Sequence, residues 1–482
     1  MKGIIVFFLL SSFTVFGQTI YLPHEVEKQV EPTGGVLFLN QFINANLRAP
    51  FQSAIKGLNG KVYVKGIVEP DGSMTNHEIV KGIDSLCNQE VIRVLSLYKA
   101  WQPAILKGER VRQQFIYPIQ FKIERRANFD STTNTITHYF DKKFYMTSDL
   151  AQAEYRIVRK VNELGYINAD VVYDQKQGKK WSNMGKVPFQ RKEIWFKHAY
   201  VGNKIDSVRA YELSARDENL ASYATEVTLL ANGTVLSEKE FSSDNKLSRF
   251  REFDLNGLLR KLDTYADSSH TEILWHENGQ MKSVVEYPLT ESFVSKGIIY
   301  VNSWEKDGTQ KVKEGDGFWQ LQGAELGGKS YIEEGQVAGG QKEGKWQGKW
   351  NNGGIHYEEI YLDGALIEGV SYEDSVKRTY TQAIIHPEFK GGASKMYALL
   401  GQNMRYPSEA ARRGITGKVQ LSFVICEDGS ICDYKVEKGV GFGLDDEAIR
   451  VVKKMNGLWE PGVFRGKKVR VRYNLPINFQ MQ

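Results

Sequence analysis

The chain has 482 residues, with 63 Lys and Arg against 58 Asp and Glu, 12% aromatic residues and 25% charged ones. That length suggests about three domains, the composition excludes disorder over the whole chain, and no apolar run reaches the ~18 residues needed for the spans of a polytopic membrane protein. A net charge of +5 is too small to imply a nucleic-acid partner, and the excess is local: from His386 onward there are 16 basic and 10 acidic residues.

The N-terminus reads as an export signal. Lys2 precedes an apolar run from Ile4 to Phe16, and Val15-Phe16-Gly17 offers a cleavage site, so residues 1–17 are expected to be a signal peptide and Gln18 the first mature residue. The 13-residue run spans only ~20 Å as helix, short of the ~30 Å hydrocarbon core, which favours cleavage over a retained inner-membrane anchor. The three cysteines make no disulfide framework. A Cys426–Cys432 bridge across a turn is open, with Cys87 left over, but buried free thiols are the simpler expectation.

A repeat links the two ends. Glu31–Gly82 aligns with Glu388–Gly439 at an offset of 357, with 16 identities in 52 positions. With one extra residue placed after Gly439, Ile83–Phe121 aligns with Gly441–Phe479 at an offset of 358, with 10 identities in 39. The matches are chiefly turn residues and anchors, such as Gly34-Gly35 with Gly391-Gly392, Asp71-Gly72-Ser73 with Asp428-Gly429-Ser430 and Trp101-x-Pro103 with Trp459-x-Pro461. Two copies of one domain bracket the chain.

In the C-terminal copy, Gly391-Gly392 opens a helix that ends at Tyr406-Pro407, since the residue before proline avoids the α region. Ser408 is expected to cap a short helix from Glu409 to Arg413, stopped by Gly414. Gly417–Ile425 alternates as a strand, Asp428-Gly429 is a hairpin turn, and a second strand runs through Tyr434 and Val436. Leu444-Asp445-Asp446-Glu447 begins a helix with acids in its first turn, and Lys467–Phe479 reads as one long closing strand. The result is a small α+β module with a three-stranded antiparallel sheet plus helices.

Between the copies, aromatic-rich segments recur around Asn232-Gly233, Asn256-Gly257, Asn278-Gly279, Asp307-Gly308, Asn352-Gly353 and Asp363-Gly364. Each predicts a β-hairpin that buries its face only by stacking on its neighbours. Packing, not ligand binding, is the expected role of their aromatics. The stretch before them is mixed, with Ala151–Leu164 expected to be helical and the rest β-rich.

The C-terminal pattern resembles the TonB C-terminal domain family, in the form common in Bacteroidetes envelope proteins. It is carried by Pro387-Glu388-Phe389-x-Gly391-Gly392, Tyr406-Pro407, Gly414-x-x-Gly417, Asp428-Gly429-Ser430, Leu444-Asp445-x-x-Ala448, Trp459-x-Pro461-Gly462 and Gly466-Lys467 through Phe479. The N-terminal copy departs from it, with Ala49 before Pro50, Leu86-Cys87 at the helix start and Gln113-Gln114 in the last strand. The hairpin units resemble MORN-type repeats of the YwqK kind. The implied organisation is β-rich and multidomain: a TonB C-terminal-like domain over 26–125, a β-rich connecting segment over 126–222, MORN-like hairpins over 223–376 and a TonB C-terminal domain over 385–482.

Catalytic signatures are missing. There is no H-E-x-x-H, P-loop or G-x-S-x-G, and the eight histidines have no ligand spacing, so a non-enzymatic protein without metal, cofactor or small-molecule substrate is expected. Gly439-x-Gly441-x-Gly443 reads as a flexible loop, because Asp445-Asp446-Glu447 would repel phosphate there. Trp459 is expected to be a core anchor.

The feature with a mechanism is the closing strand. Val469, Val471, Tyr473 and Leu475 face inward and Arg470, Arg472 and Asn474 outward, and a terminal strand can present a free edge to another strand. Lys467, Lys468, Arg470 and Arg472 also guard such an edge against aggregation. The resemblance implies that this strand pairs with a short peptide, the TonB box, of an outer-membrane receptor barrel, with the Tyr-Pro segment nearby. The candidate residues are therefore Tyr406, Pro407 and Lys467, Lys468, Val469, Arg470, Val471, Arg472, Tyr473, Asn474 and Leu475. Two functions stay open. One is a TonB-like transducer in the cell envelope that couples an inner-membrane motor complex to receptor-mediated transport. The other is an exported periplasmic scaffold that binds envelope proteins without transmitting force; the absence of a Pro-rich spacer, with only 12 prolines in all, bears on that choice.

Overall fold

The computed structural model describes residues 19–122, 128–201, 204–216, 225–242, 245–288, 297–324, 330–373 and 376–481. The expected signal peptide lies outside the described residues. The chain forms two compact units, residues 1–290 with 299–314, and residues 291–298 with 315–482.

The first unit begins with the N-terminal copy. Helices Val36–Asn46, Phe51–Lys56 and Ser85–Leu97 pack on strands Gly60–Val68, Met74–Lys81 and Glu109–Phe121. The Asp84 carboxylate accepts from Cys87 N at 2.8 Å and caps the third helix, and Gly57 ends the second in the left-handed region. A separate six-stranded sheet follows, built from strands between Phe129 and Val187. The helix expected over Ala151–Leu164 is absent there. Tyr155–Lys160 is a strand instead, because Ile157, Arg159 and Val161 bury in alternation and the Asn162–Gly165 turn reverses the chain.

Ten antiparallel strands, from Gln190–Val201 to Gln310–Lys313, complete the first unit as successive hairpins. Their turns at Asn256-Gly257 and Asn278-Gly279 dock against the helices of the N-terminal copy, the turn at Asp307-Gly308 meets Thr33 ahead of them, and the turn at Asn232-Gly233 meets Leu164. Lys99 N donates to Asn278 O at 2.8 Å and Leu259 N to Asn46 Oδ1 at 2.8 Å. Gly279, at φ +87°, lies so close that a Cβ would press on Phe42 at 2.9 Å and Tyr98 at 3.0 Å. Phe42, Tyr98 and Trp101 thereby share one core with Phe253, Leu259, Trp275 and Met281.

The second unit opens with six antiparallel strands, from Asp316–Ala324 to Val376–Tyr380. A device recurs across them: Gly335 faces Trp346, Gly348 faces Tyr357 and Gly369 faces Tyr380 in directly opposed cross-strand pairs. Each aromatic ring lies over a glycine of the neighbouring strand, filling the space its missing side chain leaves. Trp319, Trp346, Tyr357 and Tyr361 are buried, as expected of packing aromatics.

The C-terminal copy has helices Gly392–Asn403, Ser408–Arg413 and Leu444–Lys453 against strands Ile431–Lys438, Gly417–Ile425 and Val471–Phe479, in that spatial order. Its core is drawn entirely from Phe389 to Phe479, with Trp459 1% exposed at its centre. A Cβ on Gly429 would strike Trp459 O, and one on Gly72 would meet Trp101 O at 2.6 Å, which explains the glycine in both Asp-Gly turns.

Four expectations change. Cys426 and Cys432 form a disulfide, because the bulged hairpin sets their Cα atoms 6.8 Å apart, while Cys87 is a buried free thiol. Pro407, not Ser408, holds the N-cap position of the short helix, its extended ψ of 134° being that of a residue entering a helix. The closing strand is broken at Arg470: Lys467–Val469 pairs with Gly462–Phe464 and only Val471–Phe479 joins the sheet. The extra residue of the C-terminal copy does not follow Gly439. Arg93 joins Glu90 to Asn46 O as Arg450 joins Glu447 to Asn403 O, so the offset of 357 persists through the helix and the insertion lies just before Trp459. Cys87 therefore takes the place of Leu444, and both are fully buried.

Candidate functional site

Val471–Phe479 pairs on one side with Gly417–Ile425, from Val471 opposite Ile425 to Phe479 opposite Gly417. Among the described residues, no strand pairs with its other side. Leu475, Ile477 and Phe479 are buried, Val471 and Tyr473 half-buried, and Arg470, Arg472 and Asn474 exposed. Both arginines lean toward the strands of the adjoining hairpin. Arg472 donates to Asp433 Oδ2 at 2.5 Å and Ser422 Oγ at 3.1 Å, and Arg470 reaches Cys432 Sγ at 3.5 Å.

The other candidate residues lie elsewhere. Lys467, Lys468 and Val469 belong to the small hairpin, where Lys467 Nζ is 2.7 Å from Glu373. Tyr406 sits at the opposite end of the closing strand. Its hydroxyl donates to Ile415 O at 2.5 Å and its ring meets Phe479 edge-on at 6.1 Å, while Pro407 packs under Gly443. The glycine-rich loop is closed to phosphate, because Asp445 accepts from Val440 N at 2.8 Å and Gly441 N at 3.2 Å. Among the described residues, no group of three or more His, Cys, Asp or Glu is placed to hold a metal ion.

Sequence reasoning missed Arg465, at the tip of the small hairpin. Its guanidinium is 3.4 Å from the Tyr357 ring centroid and donates to Glu359 Oε1 at 2.9 Å, and Glu359 is fully buried. Tyr361 and Tyr380 donate to the same carboxylate at 2.9 and 2.7 Å, Ser371 Oγ donates to Arg465 O at 2.7 Å, and Tyr357 donates to Glu333. Burial alone would lower the Arg465 pKa, but Glu359 and Tyr357 hold it well above its ordinary value. Burial would likewise raise Glu333, yet Lys342, Tyr357 and Arg465 leave it below the ordinary carboxylate range. The C-terminal copy is thus fastened to the hairpin sheet by a buried cation.

The N-terminal copy inverts both features. Lys107, the counterpart of Arg465, is exposed. The outer side of Glu109–Phe121 is occupied at its beginning: Ile20–Tyr21 pairs with it in parallel, Ile20 beside Arg112 and Tyr21 beside Gln113, the counterparts of Arg470 and Val471, and among the described residues no strand pairs with the outer side of Gln114–Phe121. The lead-in chains explain the difference. Lys28 bridges Ile105 in one copy, as Ile385 pairs with Val463 in the other. Before that point the N-terminal lead-in folds back onto the edge, whereas its counterpart, Val376–Tyr380, is held by Ala365–Glu373 in the hairpin sheet.

Residues 46–123 and 402–481 each match the family model described as Gram-negative bacterial TonB protein C-terminal. Comparison with curated proteins finds no match. Two NMR solution structures of the Helicobacter pylori TonB-CTD are similar to this chain. One is 31% identical, covering 18% of this chain and 79% of that one, with a TM-score of 0.16. The other is 32% identical, covering 18% and 90%, with a TM-score of 0.15. Both copies thus carry the sequence pattern of TonB C-terminal domains. No helix among the described residues is long and apolar enough to cross a membrane.

Proposed function

We propose that this protein is an exported, non-enzymatic component of the cell envelope that docks onto outer-membrane receptors through its C-terminal copy. An extended receptor segment of the TonB-box kind adds as a further strand to the outer side of Val471–Phe479, with Val471 to Leu475 at the centre of the contact. The observation that carries this reading is the outer edge of that strand, unpaired among the described residues, set beside the N-terminal copy, whose edge is taken up at Arg112 and Gln113 by its own lead-in. Main-chain hydrogen bonds supply the affinity, and Arg470 and Arg472 add an exposed, salt-dependent attraction.

In this role the hairpins, read as MORN-type repeats, form a stiff mount. The Gly-aromatic pairs and the Arg465 fastening support that part. Docking serves energy-coupled transport where an inner-membrane motor complex acts on the chain. The second reading, a periplasmic scaffold without force transmission, is favoured by the N-terminal copy, whose core is shared with the hairpins and whose edge is taken up in part by its own lead-in.

The test is titration of the full chain with peptides from the N-terminal segments of co-occurring outer-membrane receptors. Arg472→Pro and Tyr473→Pro each remove one N–H, and by alternation one of them faces the open side. The edge-facing proline abolishes binding and leaves circular dichroism intact; its neighbour damages the sheet. If both variants fold and bind like wild type, strand addition at this edge is wrong. The mature N-terminus, determined in membrane and soluble fractions, decides between transducer and scaffold.

A further inference from the structure

The lead-in to the N-terminal copy is built to hold a strand in place. Leu22 N donates to Glu25 Oε2 at 2.6 Å, Glu25 N to Leu22 O at 3.0 Å, and Gln29 Nε2 to Pro23 O at 3.1 Å, so Pro23–Glu25 forms a stiff reversal directly after Tyr21. Beyond it, Glu27 N and Lys28 N donate to Ile105 O at 2.9 and 3.1 Å, and Ile105 N returns a bond to Lys28 O at 2.9 Å. Val30 N donates to Gln113 Oε1 at 2.9 Å, and Gln113, only 1% exposed, is itself the partner of Tyr21. The segment is thus stapled at both ends of its turn, and Ile20–Tyr21 is delivered onto the outer side of Glu109–Phe121.

We propose that Ile20–Tyr21 is an intramolecular occupant that blocks the start of the strand-addition edge of the N-terminal copy, at Arg112 and Gln113, where the C-terminal copy has Arg470 and Val471. The proposal rests on the reading above that this edge of the fold accepts strands. A tether of a few residues holds its strand at an effective concentration of the order of millimolar, so a free strand at micromolar concentration does not displace it. The partner that fits the edge once it is uncovered is an extended, uncharged-to-apolar strand running parallel to Glu109–Phe121, as Ile20–Tyr21 does.

The experiment uses the full chain, the same chain lacking residues 18–22, and the point variant Tyr21→Pro, with a labelled synthetic peptide of residues 18–26 as probe. Residues Glu27 to Val30, which brace the fold, remain in both variants. In the deletion variant, amide exchange at Arg112 to Gln114 is expected to rise about tenfold or more while the helices keep their protection. The peptide binds that variant at least about tenfold more tightly than the intact chain and restores protection at those amides. Tyr21→Pro gives the same opening without shortening the chain. Unchanged exchange at Arg112 to Gln114 in both variants overturns the proposal, as does peptide binding that is equal in intact and deleted chains. Loss of receptor-peptide binding in the closing-strand proline variants is read at Val471 to Leu475 and is independent, so the two ideas fail separately. If the probe binds the intact chain and Arg472→Pro or Tyr473→Pro removes that binding, the segment is a ligand of the C-terminal edge and the blocking role is wrong.

Discussion

The two copies share a fold and divide its surfaces differently. The N-terminal copy gives its helical face to the hairpins: Asn46, Phe42 and Tyr98 take up the turns at Leu259 and Gly279, and its edge carries its own lead-in. The C-terminal copy keeps a core of its own, is fastened where its small hairpin meets the sheet, and leaves its edge unpaired among the described residues. This division builds one copy into the hairpin core and leaves the other with a core of its own. The deciding difference is where the preceding chain goes, not the domain itself.

The largest effects should come from the central tryptophans. Trp459→Ala and Trp101→Ala each remove a fully packed indole and should cost roughly 3–5 kcal/mol in urea denaturation. Their reach should differ. Amide exchange after Trp459→Ala should rise only between Phe389 and Phe479, whereas after Trp101→Ala it should spread to Phe253, Leu259 and Trp275, because the first core is shared. Confinement of both effects to their own copies would break the comparison.

Next comes the fastening. Arg465→Ala leaves Glu359 buried without its cation, and breaking a buried pair in this way costs about 3–5 kcal/mol. Replacing Arg465 with Met and Glu359 with Gln together should recover most of that loss. Lys107→Ala, at the matching exposed turn, should change stability by less than about 0.5 kcal/mol. Equal losses at Arg465 and Lys107 would mean that the C-terminal copy is not held at this hairpin.

Much of this was legible in the sequence. The order of helices and strands in the C-terminal copy, the hairpin turns and the burial of Trp459 follow from periodicity and from Gly, Pro and Asp-Gly signals. The register of the second half of the repeat was not. Leu86 matched Leu444 by identity, while the true correspondence rests on the Glu90–Arg93 pair, whose meaning is a tertiary bond to Asn46 O. The break at Arg470 was hidden because both segments alternate in phase. Arg465 and Ile20–Tyr21 were invisible for a related reason: each is defined by a partner far away in sequence, Glu359 for one and Gln113 for the other. Of the candidate site, Val471 to Leu475 lies on the edge, while Lys467 and Tyr406 are drawn to other contacts.

The smallest effects concern how each copy closes its first hairpin. Cys426–Cys432 spans the turn in the C-terminal copy, and at the same positions the N-terminal copy has Glu69 and Thr75, with Thr75 Oγ1 donating to Glu69 Oε1 at 2.6 Å. Replacing both cysteines with serine should cost about 2 kcal/mol, as a short closed loop predicts, against about 1 kcal/mol for Thr75→Val. The chemistry separates them further. Arg112 also grips Glu69, at 2.7 and 2.8 Å, and this hydrogen-bonded ion pair lowers the Glu69 pKa more than burial raises it. A carboxylate with a depressed folded-state pKa stabilises above its unfolded value, about 4.3, and that contribution fades as pH falls through the folded value. Acid titration followed by amide exchange should therefore loosen the Met74–Lys81 hairpin below about pH 4.3 more than Ile431–Lys438, where Glu437 and Asp428 also have lowered pKa values through Lys435, Ser422 and Ser430 but the disulfide does not titrate. Because Arg112 also carries the Ile20 pairing, protection at Arg112 should fall over the same pH range. Equal loosening of the two hairpins would show that the Glu69–Arg112 pair contributes nothing that the disulfide copy lacks.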